Sequence, residues 1–202
     1  MSRFNPRDHF FEKAKSQGYK ARSIYKLEEI DEALSLIRSG SIVLDLGCAP
    51  GSWLQYVARK LNHSGALLGV DLTTTDGIQH PRVKTVVDDC FLLTQDKLKG
   101  HISELCPDFQ AFDVVLSDMA PKTTGIKHVD QVRSFDLAEQ ALTIAESFLT
   151  VGGHVVIKIF ASGDVDVLIN RMKKNFRAVK QMRPKSIRAP SKEFYVVGIG
   201  KK

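Results

Sequence analysis

Lys158 stands inside an otherwise apolar run, Val155-Val-Ile-Lys-Ile-Phe160, where an unpaired ammonium is costly. Asp118 follows the apolar run that ends at Ser117, and Glu193 opens the last apolar run of the chain. A lysine among carboxylates suits proton transfer, because its neutral form takes a proton and its charged form holds an anion. A second set of residues gathers around Gly47-Cys-Ala-Pro-Gly51, with Asp71 and Asp88-Asp89 ending the next two apolar runs. A carboxylate after the second strand of a nucleotide fold holds ribose hydroxyls, and one after the third accepts from an adenine amino group. The turn lacks the middle glycine of G-x-G-x-x-G, which lets backbone approach a pyrophosphate. An adenosine without phosphates, held among acids that favour a sulfonium, points to S-adenosylmethionine.

Each feature has a plainer reading alone. Acids at strand ends are often helix caps, a strand-end lysine can extend its head group to solvent, and Trp53 fits a core as well as a pocket wall. The glycine turn in register with Asp71, Asp89 and Asp118 carries the cofactor reading, with Gly47 and Gly51 shaping the turn.

These residues need a scaffold that brings them to one edge. Apolar spacing predicts strands over 42–46, 66–71, 83–88, 112–117, 153–160, 178–183 and 193–199. It predicts helices over 23–38, 52–61, 92–105, 129–149 and 164–175. The first of these should end at Gly40, while Pro50 and Ser52 suit the start of the second. Alternation of this kind specifies an α/β fold, Rossmann-like, with a mostly parallel seven-stranded sheet and helices on both faces. Only Pro184 to Lys192 separate the last two strands, too short for a crossover, so the pair should be antiparallel. An antiparallel last strand would start at the carboxyl edge, bringing Glu193 to Asp118 and Lys158.

The 202 residues suit one domain, 23–202, behind a basic arm, 1–22. The net charge of +6 is unevenly spread. Residues 1–26 carry seven Lys/Arg against Asp8 and Glu12, and residues 171–192 carry nine with no acid. Taken singly, such runs are solvated faces. Two of them flanking a cofactor domain favour a nucleic-acid partner, and the arm's composition fits a segment that orders on that partner. No apolar run is long enough for a membrane span, and the start of the chain lacks a signal-peptide core. Cys48, Cys90 and Cys106 form no CxxC pair, and the histidines lack metal-ligand spacing. A cytoplasmic, metal-free monomer is expected.

Five segments then identify the chain with a known family. Ala21-Arg-Ser-Ile-Tyr-Lys-Leu-Glu-Glu-Ile30, Asp45-Leu-Gly-Cys-Ala-Pro-Gly-Ser-Trp53, Ser117-Asp-Met-Ala-Pro121, Val156-Ile-Lys-Ile-Phe160 and Ser191-Lys-Glu-Phe-Tyr195 resemble the FtsJ/RlmE-type 2′-O-ribose RNA methyltransferases. The resemblance implies a class I S-adenosylmethionine-dependent fold and a Lys-Asp-Lys-Glu tetrad at Lys26, Asp118, Lys158 and Glu193. It also implies that Gly51, Trp53, Asp71, Asp89 and Asp118 contact the cofactor. Gly51-Ser52 departs from the Gly-Gly of many members, a small change at a helix start, where serine is comfortable. On this resemblance Lys158 is the base, Asp118 orients it, and Lys26 and Glu193 position the ribose and its phosphate.

Three other readings compete. A base methyltransferase typically carries an Asn/Asp-Pro-Pro-aromatic turn after strand four, whereas this chain has Asp118-Met119-Ala120-Pro121 with no aromatic. A cysteine-dependent mechanism would need a reactive thiol, and Cys106 at a helix end looks structural. A non-catalytic RNA-binding assembly factor would not need an intact tetrad. Within the ribose reading, the bacterial branch implies a uridine of the large-subunit ribosomal RNA in the assembled subunit. Relatives acting on the tRNA anticodon loop share the tetrad. Nothing in the chain reads a base, so folded RNA shape is the expected determinant.

Overall fold

The computed structural model describes residues 8–75 and 78–202, so Arg3 and Arg7 of the basic arm lie outside the described residues. Seven strands form one sheet: β1 (Ile42–Leu46), β2 (Ala66–Asp71), β3 (Val83–Val87), β4 (Phe112–Ser117), β5 (Leu149–Phe160), β6 (Phe176–Met182) and β7 (Glu193–Lys201). Their order is β3-β2-β1-β4-β5-β7-β6. All neighbours are parallel except β7, which runs antiparallel to both β5 and β6. The predicted α/β architecture and the antiparallel last strand are therefore present.

Among the described residues six α-helices complete the layers: α1 (His9–Ser16), α2 (Ile24–Leu34), α3 (Ser52–Leu61), α4 (Gln95–Ile102), α5 (Lys127–Phe148) and α6 (Val165–Asn175). The alternation of side chains along each strand feeds two apolar layers. Val43, Leu67, Val114 and Val156 pack under α1, α2 and α3, while Leu44, Leu68, Val115 and Val155 pack under α4, α5 and α6. Strand order reverses between β1 and β4, and the crevice outside the carboxyl ends at such a switch point is where open α/β sheets take ligands.

Three expectations differ from the structure for identifiable reasons. The helix predicted over 23–38 stops at Leu34, with Ser35 left-handed at φ 52°. Asp31 accepts from the backbone N–H groups of Leu36 and Ile37 at 2.9 Å, and both side chains are buried, so the apolar spacing outlasts the helix. The helix predicted over 92–105 is shorter because Asp89 caps a 3₁₀ turn, Cys90–Leu92, before Thr94 caps α4. The arm is helical from His9, and Ala14 is buried on the α2 side of the sheet. The carboxylate of Asp8 accepts from Phe11 N–H at 3.1 Å and caps α1.

Candidate active site

Asp118 is the first residue after β4, and Lys158 lies on the neighbouring strand β5 with 7% of its surface exposed. The Lys158 Nζ is 3.0 Å from Asp118 Oδ1 and donates to the Asp118 backbone oxygen at 2.5 Å. The Tyr195 hydroxyl donates to the same Oδ1 at 2.7 Å. Burial alone would push the Asp118 carboxyl up. The charges of Lys158 and Lys26, with the Tyr195 hydrogen bond, outweigh it and hold the group below the ordinary carboxylate value.

The direction of β7 delivers the rest. Its register sets Tyr195 opposite Lys158 and Glu193 opposite Phe160, so the start of β7 meets the carboxyl edge. Glu193 there accepts from Lys26 of α2 at 2.5 Å. The four tetrad residues thus stand together as two ion pairs, Lys158–Asp118 and Lys26–Glu193. Tyr195 went unnoticed in the sequence because an aromatic residue is ordinary in a strand.

A cleft of about 500 Å³ opens beside Asp118 and Lys158, lined also by Gly47, Asp71, Asp89 and Met119. Asp71 Oδ2 accepts from Ala49 N–H at 3.0 Å, fastening the turn after β1 to the end of β2, while its other oxygen takes Thr73 N–H and Oγ1 at 2.9 Å. Asp89 Oδ1 accepts from Phe91 N–H at 2.9 Å. Asp88 is held by Lys97 at 3.0 Å and His101 at 3.1 Å, and these bonds lower its carboxyl to about 2. Leu72 and Phe91, both well exposed, give the cleft apolar surface. With Asp88 paired to Lys97 and His101, and Asp118 to Lys158, Asp71 and Asp89 leave the cleft acidic, which suits a cationic ligand with a polar ribose such as S-adenosylmethionine.

Two of the expected cofactor residues lie elsewhere. Gly51 is left-handed at φ 108°, and a Cβ there would stand 2.9 Å from Thr75 Cγ2, so this glycine packs against the loop after β2. Gly47, at φ 74°, does line the cleft, and a Cβ on it would come within 2.7 Å of Met119 Cγ. Trp53 is buried against Tyr195 and donates from Nε1 to Ser23 O at 2.9 Å. Ser52 and Ser23 share a hydroxyl hydrogen bond of 2.7 Å. The start of α3 therefore fixes the start of α2, one turn before Lys26.

Asp45 on β1 is fully buried, and neither carboxylate oxygen has a hydrogen-bond partner among the described residues. Burial pushes its carboxyl well above the ordinary value, and the nearby charges of Asp118 and Asp71 add to the effect.

Beyond the tetrad a second cavity, about 670 Å³, runs between the arm and the β6–β7 loop. Lys20, Arg22, Lys26, Arg188, Pro190 and Glu193 contribute to its walls. Ser23 lines both cavities, so the acidic cleft and the basic groove meet beside the two ion pairs.

A profile of the FtsJ-like methyltransferases matches residues 19–201, from the end of α1 to the end of β7. The chain belongs to this family. A ribosomal RNA large subunit methyltransferase E from Bdellovibrio bacteriovorus is 45% identical over 98% of this chain and 99% of its own length. One of the same name from Desulfatibacillum aliphaticivorans is 46% identical over 97% of this chain and 91% of its own length. Among solved structures, a Plasmodium falciparum protein described as a ribosomal RNA methyltransferase superposes with a TM-score of 0.79 at 27% identity, covering 91% of this chain and 98% of that one.

A cysteine nucleophile does not fit the buried thiols of this FtsJ-like chain. Burial pushes the Cys48 thiol up to about 12 and the Cys90 thiol up to about 11, so neither is a nucleophile at neutral pH. Cys106 follows α4 at the opposite edge of the sheet, where β4 begins. No group of three or more His, Cys, Asp or Glu among the described residues is arranged to hold a metal ion, and no described helix is long and apolar enough to cross a membrane.

Proposed function

We propose that this chain transfers a methyl group from S-adenosylmethionine to a ribose 2′-hydroxyl of large-subunit ribosomal RNA, acting as a monomer in the cytoplasm. The observation that carries the reading is the position of the two ion pairs, between an acidic cleft and a basic groove that share Ser23. The names of relatives at about 45% identity support ribosomal RNA as the substrate.

When bound, the cofactor supplies a methyl group made electrophilic by its sulfonium. In this reading Asp71 and Asp89 hold its ribose and adenine, and the cleft they line is bounded by Gly47 and Met119. A ribose hydroxyl is a weak nucleophile and must lose its proton as it attacks. Lys158, aimed by Asp118, is the base in this reading and receives that proton once it has given up its own. Lys26 and Glu193 face the groove side, where they hold the ribose and the adjacent phosphate. Alignment of hydroxyl and methyl accounts for much of the acceleration, up to ~7–11 kcal/mol in favourable cases.

The test uses large ribosomal subunits from cells lacking this gene, the purified chain and methyl-labelled cofactor, followed by mapping of ribose methylation. Label at a large-subunit ribose is expected with the native chain. Lys158→Ala should abolish transfer while cofactor binding persists. Near-normal turnover in that variant refutes the assignment of the base. Methylation lost from a tRNA position in those cells, with ribosomal RNA unchanged, refutes the substrate.

A further inference from the structure

Asp8 is the acidic residue that ties the arm to the groove. Its carboxylate forms ion pairs with Arg22 and, at 3.1 Å, with Arg188 Nε. Arg22 follows α1, whereas Arg188 belongs to the β6–β7 loop, and both line the groove beside Lys26 and Glu193. Two guanidinium groups converging on one small anion, next to the tetrad, describe a seat for a phosphodiester.

The seat is built independently of Asp8. Glu29 of α2 accepts from the backbone N–H groups of Lys185 and Ser186 at 2.6 and 2.9 Å, anchoring the β6–β7 loop to the body. Arg183 ties the same loop from within, donating to Ser191 O at 2.7 Å and Glu193 O at 2.8 Å. Arg22 also donates to Ser186 O, so its guanidinium stays fixed to that loop when the carboxylate leaves. Burial and the adjacent charge of Arg188 lower the pKa of the Arg22 guanidinium, the effect expected where two like charges are held together.

We propose that Arg22 and Arg188 form a phosphodiester-binding seat for the substrate RNA, and that Asp8 occupies it as an internal stand-in that RNA displaces. The inference rests on the RNA reading above and adds to it a site and a competitor. The Asp8 carboxylate and the two guanidinium groups are only partly buried, so the internal pairs are weak enough to exchange for a strand that brings several phosphates. The arm then works as a selectivity device: isolated anions compete poorly with a tethered carboxylate, while a polyanion that also reaches Lys20 and Lys26 wins.

The test is fluorescence anisotropy of the full chain with a labelled single-stranded RNA oligonucleotide over a series of salt concentrations. Asp8→Ala should bind the RNA roughly 3- to 5-fold more tightly, the factor expected from removing a partly exposed ion-pair competitor. Arg22→Ala and Arg188→Ala should each bind more weakly and lower the slope of log K against log salt by about 0.7. Adding Asp8→Ala to Arg22→Ala/Arg188→Ala should change nothing further. Circular dichroism establishes that each variant is folded, and Asp8→Asn, which keeps the α1 cap, separates loss of charge from loss of the cap. Affinity unchanged or reduced in a folded Asp8→Asn chain overturns the proposal, as does an Asp8 effect that persists without the two arginines. Methyl transfer to large ribosomal subunits, read in parallel, separates the two ideas. Tighter binding by the Asp8 variants with no transfer to any ribose refutes the ribose reading and leaves the seat standing.

Discussion

Replacing Asp45 with Asn should make the protein more stable near neutral pH, by an amount that grows as pH rises from about 4. The carboxyl is fully buried, without a partner among the described residues, and near Asp118 and Asp71, so the folded chain favours its neutral form. In the unfolded chain an aspartate titrates near ~3.9. Between that value and the raised folded value, the native state holds one more proton than the unfolded state. Stability contributed at this position therefore falls as pH rises, by ~1.4 kcal/mol per unit, and levels off above the folded value. Asn does not titrate, so Asp45→Asn removes the slope. At pH 4 the amide carries its own unsatisfied donors and the variant should match the native chain or lose ~1 kcal/mol. From there upward the difference should turn in favour of the variant. Urea unfolding at half-unit steps from pH 4 to pH 8 measures the difference directly, with other titrating groups largely cancelling between the two chains. A difference flat across that range, or a variant that loses stability as pH rises, would refute the argument.

Other expectations follow from single contacts. Tyr195→Phe removes the 2.7 Å hydrogen bond to Asp118 and should cost ~1.5–3 kcal/mol in urea unfolding, with methyl transfer falling several-fold. The depressed Asp118 carboxyl contributes stability above ~3.9 that is lost as pH falls through its folded value, so acid unfolding of Tyr195→Phe should begin at higher pH. Asp31→Ala strands the Leu36 and Ile37 amides and the Tyr56 hydroxyl, and should cost ~3–5 kcal/mol, read as a lower midpoint in thermal unfolding. Cys48, its thiol pushed up to about 12, should resist iodoacetamide at pH 8 in the folded chain and react once urea unfolds it, as peptide mass mapping would show.

The sheet was legible because buried parallel strands read as short apolar runs, and Pro184 to Lys192 left no room for a crossover. Lys158 was legible because lysine is unexpected in such a run. What escaped was polar work done by residues whose types look ordinary. Asp31 serves as a helix terminator from inside the helix, and Trp53 binds a backbone oxygen of Ser23 beneath the tetrad. A pattern of apolar spacing registers neither, since both are side-chain hydrogen bonds to backbone groups outside their own helix. Helix α1 escaped because Ala14, a small residue, is its one fully buried side chain.

β7 lies between β5 and β6 although it is the last of the seven strands in chain order. Every other strand of this sheet is synthesised before it, so neither β5 nor β6 can make its pairing with β7 until this segment is made. Glu193 and Tyr195 arrive with that strand, and they supply the partners of Lys26 and Asp118. A chain interrupted after β6 would contain every residue named in the acidic cleft and lack Glu193, one member of the two ion pairs. Assembly of the sheet and assembly of the site thus finish in one event, and a nascent chain cannot acquire its chemistry ahead of its fold.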